Sequence, residues 1–231
     1  MLRDLLISCG ADVSCLKTVD EKNGHAIIQV SERGENAILL FPGANEAVTE
    51  AQICEVLDGF GAGDMLVLQN EISHVDTLVK EGYARGMQIV LNPSPYNEKL
   101  KDIDLGMLSY LLLNEVEMGQ ITGCDDPARG LEMLAAQYPR LQVVLTLGKA
   151  GCLYRQGDCV LRQSAFTVAV KDTTAAGDTF TGYFVSSVAD GKSVEEALLV
   201  ASAAAAISVS RKGAAPSIPT LDEVQRFLKE S

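Results

Sequence analysis

The stretch VKDTTAAGDTFTGYF at residues 170–184 decides the fold and carries the strongest chemical signal in the chain. The pattern predicts that a buried strand ends here, that small residues follow, and that a helix begins near Gly177. Small residues let a backbone approach a ligand closely, and the free amides of a helix start attract an anion. Asp178 lies at that start, where it can cap the helix or act as a base on a substrate hydroxyl. A base beside an anion hole suits phosphoryl transfer to an alcohol, although an isolated Asp in this setting is more often only a cap.

Apolar strands and helices alternate around this stretch. Such alternation indicates an α/β fold with a mostly parallel sheet covered on both faces, and ligands then bind beyond the carboxyl ends of the strands. Polar residues follow several of these ends, for example at Asn92, Asn114 and Thr146. The predicted helices are 49–57, 73–85, 115–122, 127–137, 177–190, 193–210 and 220–229, and the predicted strands are 65–69, 87–93, 110–114, 143–148, 151–155, 158–162 and 166–170.

The first 41 residues have a different pattern. After one or two helical turns, short apolar runs at 13–19, 26–30 and 37–41 predict strands, and the last two flank a turn at 31–36. These runs are too short for an independent domain. We therefore interpret them as a lid over the site, within a single domain that spans residues 1–231.

Composition excludes several classes of protein. The chain has 231 residues, a formal net charge of −12 and 47% hydrophobic residues, which is typical of a folded, soluble protein. Its acidity argues against nucleic-acid binding, and no apolar run is long enough to span a membrane. The N-terminus does not resemble a signal peptide, so we expect a cytoplasmic protein. Six cysteines without a CxxC pair and only two histidines disfavour a zinc site and indicate packing in a reducing compartment.

Two other nucleotide-binding patterns are disfavoured. GFGAGD at 59–64 precedes its strand instead of following it, so we interpret it as a turn. The chain contains no GxxxxGK[ST] sequence, which excludes P-loop chemistry.

Four ordered motifs resemble those of the ribokinase (PfkB-type) family of carbohydrate kinases. The resemblance runs from about Leu2 to Ser231, and it implies the family's three-layer α/β/α fold with a small β lid. At 172–180 the segment matches the second family signature, with Ala175 where many members have Gly. The motifs are DTTAAGDTF (172–180), NEVE (114–117), TLGKAG (146–151) and AAAAISVSRKGAAPSIP (203–219).

The resemblance also implies roles for individual residues. Asp178 is expected to be the catalytic base, and Glu117 to help hold Mg²⁺ through water. Glu71 matches a sugar contact, although a solvated residue at a helix start would look the same in the sequence. Ser202 matches a position near the adenine, although a residue of a core helix would look the same. The anion hole is expected at Ala175, Ala176 and Gly177, and Gly177 is also expected to contact the nucleotide. The other expected nucleotide contacts are Asn114, Thr146, Leu147, Gly148, Lys149, Ala150 and Gly151. The resemblance also implies a K⁺ site formed by Asp172, Thr174, Ser208, Arg211, Gly213 and Ser217.

The implied activity is ATP-dependent phosphorylation of a sugar hydroxyl, with D-ribose favoured over fructose, ketodeoxygluconate or a nucleoside. Family members begin with a strand and a Gly-Gly signature that bind the sugar, and Met1 aligns after both. We therefore expect an N-terminally incomplete kinase that lacks the opening strands and is weak or inactive alone. The alternative is a non-catalytic nucleotide-binding fragment. The resemblance further implies a homodimer formed through the lid strands.

Overall fold

The computed structural model describes residues 2–30 and 36–230, and the secondary structure of these residues follows the predicted alternation. The helices are α1 (Leu2–Ser8), α2 (Glu50–Leu57), α3 (Val75–Ala84), α4 (Glu115–Thr122), α5 (Pro127–Gln137), α6 (Ala176–Ala189), α7 (Val194–Val209) and α8 (Leu221–Glu230). The strands are β1 (His25–Val30), β2 (Asn36–Phe41), β3 (Met65–Gln69), β4 (Gln88–Asn92), β5 (Tyr110–Asn114), β6 (Gln142–Thr146), β7 (Cys152–Gln156) and β8 (Cys159–Gln163).

Six of the described strands form the central sheet, in the order β3-β4-β5-β6-β7-β8. Strands β3 to β6 are parallel, whereas β7 and β8 pair antiparallel. Successive side chains point to opposite faces of the sheet. In β5, Leu111 and Leu113 pack with α2 to α5 on one face, and Tyr110 and Leu112 pack with α6 and α7 on the other. The result is the predicted three-layer α/β/α arrangement.

Helix α6 is held firmly against the sheet. Phe180 and Phe184 insert into the core, and the ring of Phe184 meets Tyr110 edge-on at 5.7 Å between centroids. On the neighbouring helix α7, Ala197 and Ala201 are fully buried, and such small side chains allow two helices to pack closely. This packing places the first turn of α6 beside the carboxyl ends of the parallel strands.

The predicted strand at 166–170 is wrong. This segment pairs with no other strand in the described part of the chain. Its apolar character serves packing instead, because the Phe166 ring meets Phe227 of α8 edge-on at 5.2 Å. An alternating apolar pattern is not enough for a strand when no neighbouring backbone completes the ladder.

The lid consists of β1 and β2, which pair antiparallel and are separate from the central sheet. The strands predicted at 26–30 and 37–41 are confirmed. The predicted turn at 31–36 lies, apart from Asn36, outside the described residues. The predicted strand at 13–19 is wrong, because the Leu16 amide donates to the Val13 carbonyl and closes a turn there. None of the described helices is long and apolar enough to cross a membrane.

Candidate active site

A cavity of about 390 Å³ lies where the parallel strands end and α6 begins. This is the edge at which open α/β sheets bind ligands. Most of its lining is polar. Strands β3 to β6, the loops that follow them and the first turn of α4 contribute Gln69, Glu71, Asn92, Ser94, Leu112, Leu113, Asn114, Glu117 and Thr146. The α6 segment contributes Thr173, Ala175, Ala176, Gly177, Asp178, Phe180 and Thr181.

The cavity brings together many of the predicted site residues. The predicted anion hole, the predicted base Asp178 and the predicted sugar contact Glu71 line one space. The predicted nucleotide contacts Asn114 and Thr146 and the predicted Mg²⁺ residue Glu117 line the same space. The remaining predicted residues do not line this cavity. They lie in the loop after β6, within α7, and in the loops around Asp172 and Gly213.

The start of α6 has an unusual backbone. Ala175 precedes the helix with a φ of +59°, in the left-handed region that disfavours residues with a Cβ. A Cβ built at Gly177 would meet no other heavy atom within 4 Å. The first amides of a helix have no intrahelical acceptor, so those of Gly177 and Asp178 are available to an anion. The turn thus combines exposed donors with open space in front of them.

Asp178 has one hydrogen-bonded oxygen and one free oxygen among the described residues. Gln69 Nε2 donates to Asp178 Oδ1 at 3.0 Å. Asp178 Oδ2 accepts no hydrogen bond from the described part of the chain, and the side chain is exposed to the cavity. An ionised carboxylate with a free oxygen can accept a proton from a bound hydroxyl.

Asn114 and Glu117 hold each other in a capping box at the start of α4. The Asn114 side chain accepts from the Glu117 amide, and Glu117 Oε2 accepts from the Asn114 amide, both at 2.9 Å. Glu117 is nearly buried, at 6% exposure. The box accounts for one oxygen of each side chain and fixes both residues at the cavity wall.

A resident metal held by protein groups alone does not fit this cavity. The described residues contain no group of three or more His, Cys, Asp or Glu side chains that could hold a metal ion. One carboxylate at the wall does suit Mg²⁺, which keeps several waters and binds mainly through substrate phosphates.

The predicted nucleotide loop lies beside the cavity, with Thr146 alone of its residues in the lining. The Leu147 amide donates to the Gly151 carbonyl at 2.8 Å and closes a tight turn over Gly148, Lys149 and Ala150. A Cβ at Gly151 would lie 2.0 Å from the Gln163 carbonyl oxygen. Packing alone therefore requires glycine at this position.

Ser202 is buried within α7, where its Oγ lies 3.8 Å from the Cys152 thiol. Burial raises the pKa of that thiol to about 11. This environment is apolar and mostly closed, which agrees with the core-helix interpretation of Ser202 and does not test its predicted role near the adenine.

Five residues of the predicted K⁺ site form two hydrogen-bonded groups. Asp172 accepts from the Thr174 hydroxyl at 2.6 Å and from the Gly213 amide at 3.0 Å, and these bonds lower the pKa of its carboxyl to about 2. Ser208 and Ser217 are fully buried and share a 2.9 Å hydrogen bond.

The Arg211 side chain turns toward α8. Its guanidinium binds Glu223 at 2.6 Å and lowers the pKa of that carboxyl to about 2. Its predicted place in the K⁺ site therefore rests on its backbone, since the guanidinium is a cation engaged elsewhere.

Sequence reasoning missed several polar residues of the cavity. Gln69 ends the predicted strand at 65–69 and was assigned no role, and Asn92 was noted only as a strand end. Ser94 lies in no motif, and Thr173 and Thr181 lie within the stretch 170–184 without a predicted role of their own. The position of Gln69 and Asn92 at the ends of two adjacent parallel strands is the feature that could have identified them.

Comparison with known proteins identifies the family of the chain. Residues 1–221 match the family described as pfkB family carbohydrate kinase. A ribokinase of Haemophilus influenzae is 34% identical, with 96% of this chain and 74% of the relative covered. A ribokinase of Schizosaccharomyces pombe is 36% identical, with 93% and 71% covered.

A solved structure has the same fold. The ribokinase of Arabidopsis thaliana, complexed with ribose and ATP, is 31% identical, with 92% of this chain and 71% of that chain covered at a TM-score of 0.77. The sequence match and the fold lead to the same conclusion. The chain belongs to the pfkB family of carbohydrate kinases, which are phosphotransferases.

Proposed function

We propose that this protein transfers the γ-phosphate of ATP to D-ribose and forms D-ribose 5-phosphate and ADP. The single observation that carries the proposal is the position of Asp178, at the start of α6, in one cavity with Glu71, Asn114 and Glu117. The choice of D-ribose is supported by the named relatives, which are ribokinases, and by the ribose and ATP in the Arabidopsis complex.

The proposed reaction uses the two ends of the cavity differently. Glu71 binds the sugar, and Asp178 Oδ2 accepts the proton of the reacting hydroxyl. The sugar oxygen then bonds to the γ-phosphorus while the bond from that phosphorus to the β,γ-bridging oxygen breaks, and ADP leaves. The anion hole at Ala175, Ala176 and Gly177 stabilises the negative charge on the transferred group. Its free donors are the amides of Gly177 and Asp178, since the Ala176 amide donates to the Thr173 carbonyl.

In this proposal the nucleotide binds along Asn114 and the loop Thr146–Gly151, and Glu117 holds Mg²⁺ through water. The ion supplies charge neutralisation on the phosphates when it is bound. We also propose that K⁺ binds between the Asp172 and Gly213 loops, because carboxylate, hydroxyl and carbonyl oxygens suit a hard cation.

The test of the base is Asp178→Asn, assayed by ADP release with D-ribose. We expect kcat to fall by about 100-fold or more, because a positioned base contributes on the order of 10²–10⁴-fold. The affinity for ATP with Mg²⁺, measured by calorimetry, should change little. Asp190→Asn, at the other end of the same helix, is the matched control.

The same assay separates the alternatives. Full activity of Asp178→Asn would exclude this residue as the base. Faster turnover of fructose, ketodeoxygluconate or adenosine than of D-ribose would overturn the substrate assignment. Nucleotide binding without turnover of any of these would favour the non-catalytic alternative.

A further inference from the structure

Gln69 and Asp178 make a contact that links the edge of the sheet to the start of α6. The two residues are 109 positions apart in the sequence, and Gln69 Nε2 lies 3.0 Å from Asp178 Oδ1. An ionised carboxylate can only accept hydrogen bonds, so the carboxamide must present its nitrogen to it. This is the one hydrogen bond of the Asp178 side chain among the described residues.

A second, parallel contact lies next to the first. Gln69 and Asn92 are register partners at the ends of β3 and β4. Asn92 Nδ2 is 3.5 Å from the hydroxyl of Thr181, which is three residues after Asp178 and therefore on the same face of α6. Two adjacent strand ends thus contact two adjacent positions of the first helical turns through side-chain amides.

The backbone of Gln69 is itself well fixed. It lies within the parallel ladder between β3 and β4, and the following Asn70 side chain donates to the Pro95 carbonyl. By contrast, Asp178 is exposed and could adopt other side-chain rotamers. The Gln69 side chain is exposed as well, so the ladder fixes the backbone from which its carboxamide reaches a carboxylate that is otherwise free to turn.

We propose that Gln69 is a positioning residue for Asp178, which holds Oδ1 so that Oδ2 faces the sugar hydroxyl. This inference rests on the proposed function of Asp178 as the base. Catalysis by positioning loses rate steeply when a reacting group is misplaced, even by about 1 Å. Gln69 acts through Asp178 in this proposal, and because its side chain also lines the cavity, the test must separate an effect on kcat from one on substrate binding.

The kinetic test uses two variants of Gln69. Gln69→Met keeps the length of the side chain and removes the donor, whereas Gln69→Glu places a second carboxylate against Asp178. We expect kcat to fall by about 10- to 100-fold in both, with KM for D-ribose and the affinity for ATP within about twofold of wild type. Gln88→Met, at the start of β4 and the opposite end of the sheet, should leave all three unchanged.

The pH dependence separates positioning from a structural effect. Two adjacent carboxyls share a proton at low pH, and the protonated one can then donate a hydrogen bond. The kcat deficit of Gln69→Glu should therefore shrink as the pH falls from 8 to 5.5, while that of Gln69→Met should stay constant. The proposal would be overturned by a rise in KM without a fall in kcat, by an unchanged kcat in Gln69→Met, or by kcat deficits of the two variants that depend on pH in the same way.

A second measurement needs no turnover. In protein labelled with ¹⁵N-glutamine, the side-chain amide signals of Gln69 are those absent from Gln69→Met. Asp178→Asn should shift these signals and Asp190→Asn should not, and unshifted signals would refute the contact. If Asp178→Asn is fully active while the signals shift, Asp178 is not the base, and the proposed function fails although the contact between Gln69 and Asp178 exists. If Asp178→Asn is inactive while Gln69→Met is normal, only this inference fails.

Discussion

Two small residues in the turn before α6 have different physical roles. Ala175 adopts a left-handed φ of +59°, which costs an L-residue about 1–2 kcal/mol relative to its preferred regions. Glycine, which has no Cβ, would adopt this conformation without that cost. Gly177 has no such backbone requirement, and nothing in the fold occupies the space of its absent side chain. Gly177 lines the candidate cavity, so we propose close approach of a ligand as the reason for glycine there.

Gly177→Ala should therefore separate stability from function. The Tm is expected to stay the same or rise, because alanine in a helix is favoured over glycine by up to about 1 kcal/mol. The kcat/KM for ATP should fall about tenfold or more, because the new methyl group lies where the phosphate approaches the amides. Gly182→Ala is the matched control, since Gly182 lies five residues later in α6 with equally open space. Equal kinetics of the two variants would contradict the anion hole.

Predictability from the sequence differs among single residues. Asp178 could be found because its neighbours in the chain define a recognisable turn. Gln69 could be identified only as the end of a strand, because its contact with Asp178 joins residues 109 positions apart. Gly151 shows the opposite problem: it belongs to a motif, yet its close approach to the Gln163 carbonyl gives it a packing reason that no local pattern reveals.

At the scale of elements, the helices and the buried strands of the sheet follow from hydrophobic periodicity. The two wrong strands, at 13–19 and 166–170, fail for one reason. A strand needs a partner backbone, and pairing is a non-local property that alternation within a segment cannot guarantee. The antiparallel β7 and β8 likewise carry no local sign of the direction in which they pair.

The loop before α6 is tied to the loop after α7 through Asp172. Because its hydrogen bonds to Thr174 and Gly213 lower the carboxyl pKa from 3.8 to about 2, the ionised form is favoured in the folded protein. Its contribution to stability is complete above pH 3.8 and is lost as the pH falls through 2. Asp172→Asn should thus lower the Tm at pH 6, and the difference from wild type should shrink between pH 4 and 2.

Thermal unfolding of both proteins across pH 2–7 measures this difference. Asp190→Asn serves as the control, since its carboxylate accepts no hydrogen bond from the described residues, and its difference from wild type should stay flat. The same variant tests the cation proposal, because K⁺ should raise nucleotide affinity in wild type and not in Asp172→Asn. A constant Tm difference, or an equal K⁺ effect in both proteins, would contradict these assignments.

At the scale of the whole molecule, the lid is the part of the described structure whose strands do not pair with the central sheet. Its two strands form a separate sheet, and an isolated pair of strands is at best marginally stable in water. On one face of this pair, Ile27 and Leu39 are register partners with 51% and 69% exposure, and Phe41 beside them is 43% exposed. A contiguous exposed apolar patch of this kind is typical of an interaction site.

We propose that a second copy of the chain covers this face, so the protein should sediment at twice the 24.6 kDa of one chain. Leu39→Asp should weaken the dimer by about 100-fold or more, because association would bury an unpaired charge. The Tm of the central sheet should change little, since the lid lies apart from it. Val160→Asp provides the control, as Val160 is a strand residue of the central sheet with 52% exposure, and it should remain dimeric. We interpret the lid as lying over the cavity, so the monomeric Leu39→Asp variant should also show a raised KM for D-ribose. A wild-type protein that is monomeric at micromolar concentration would refute the lid interface.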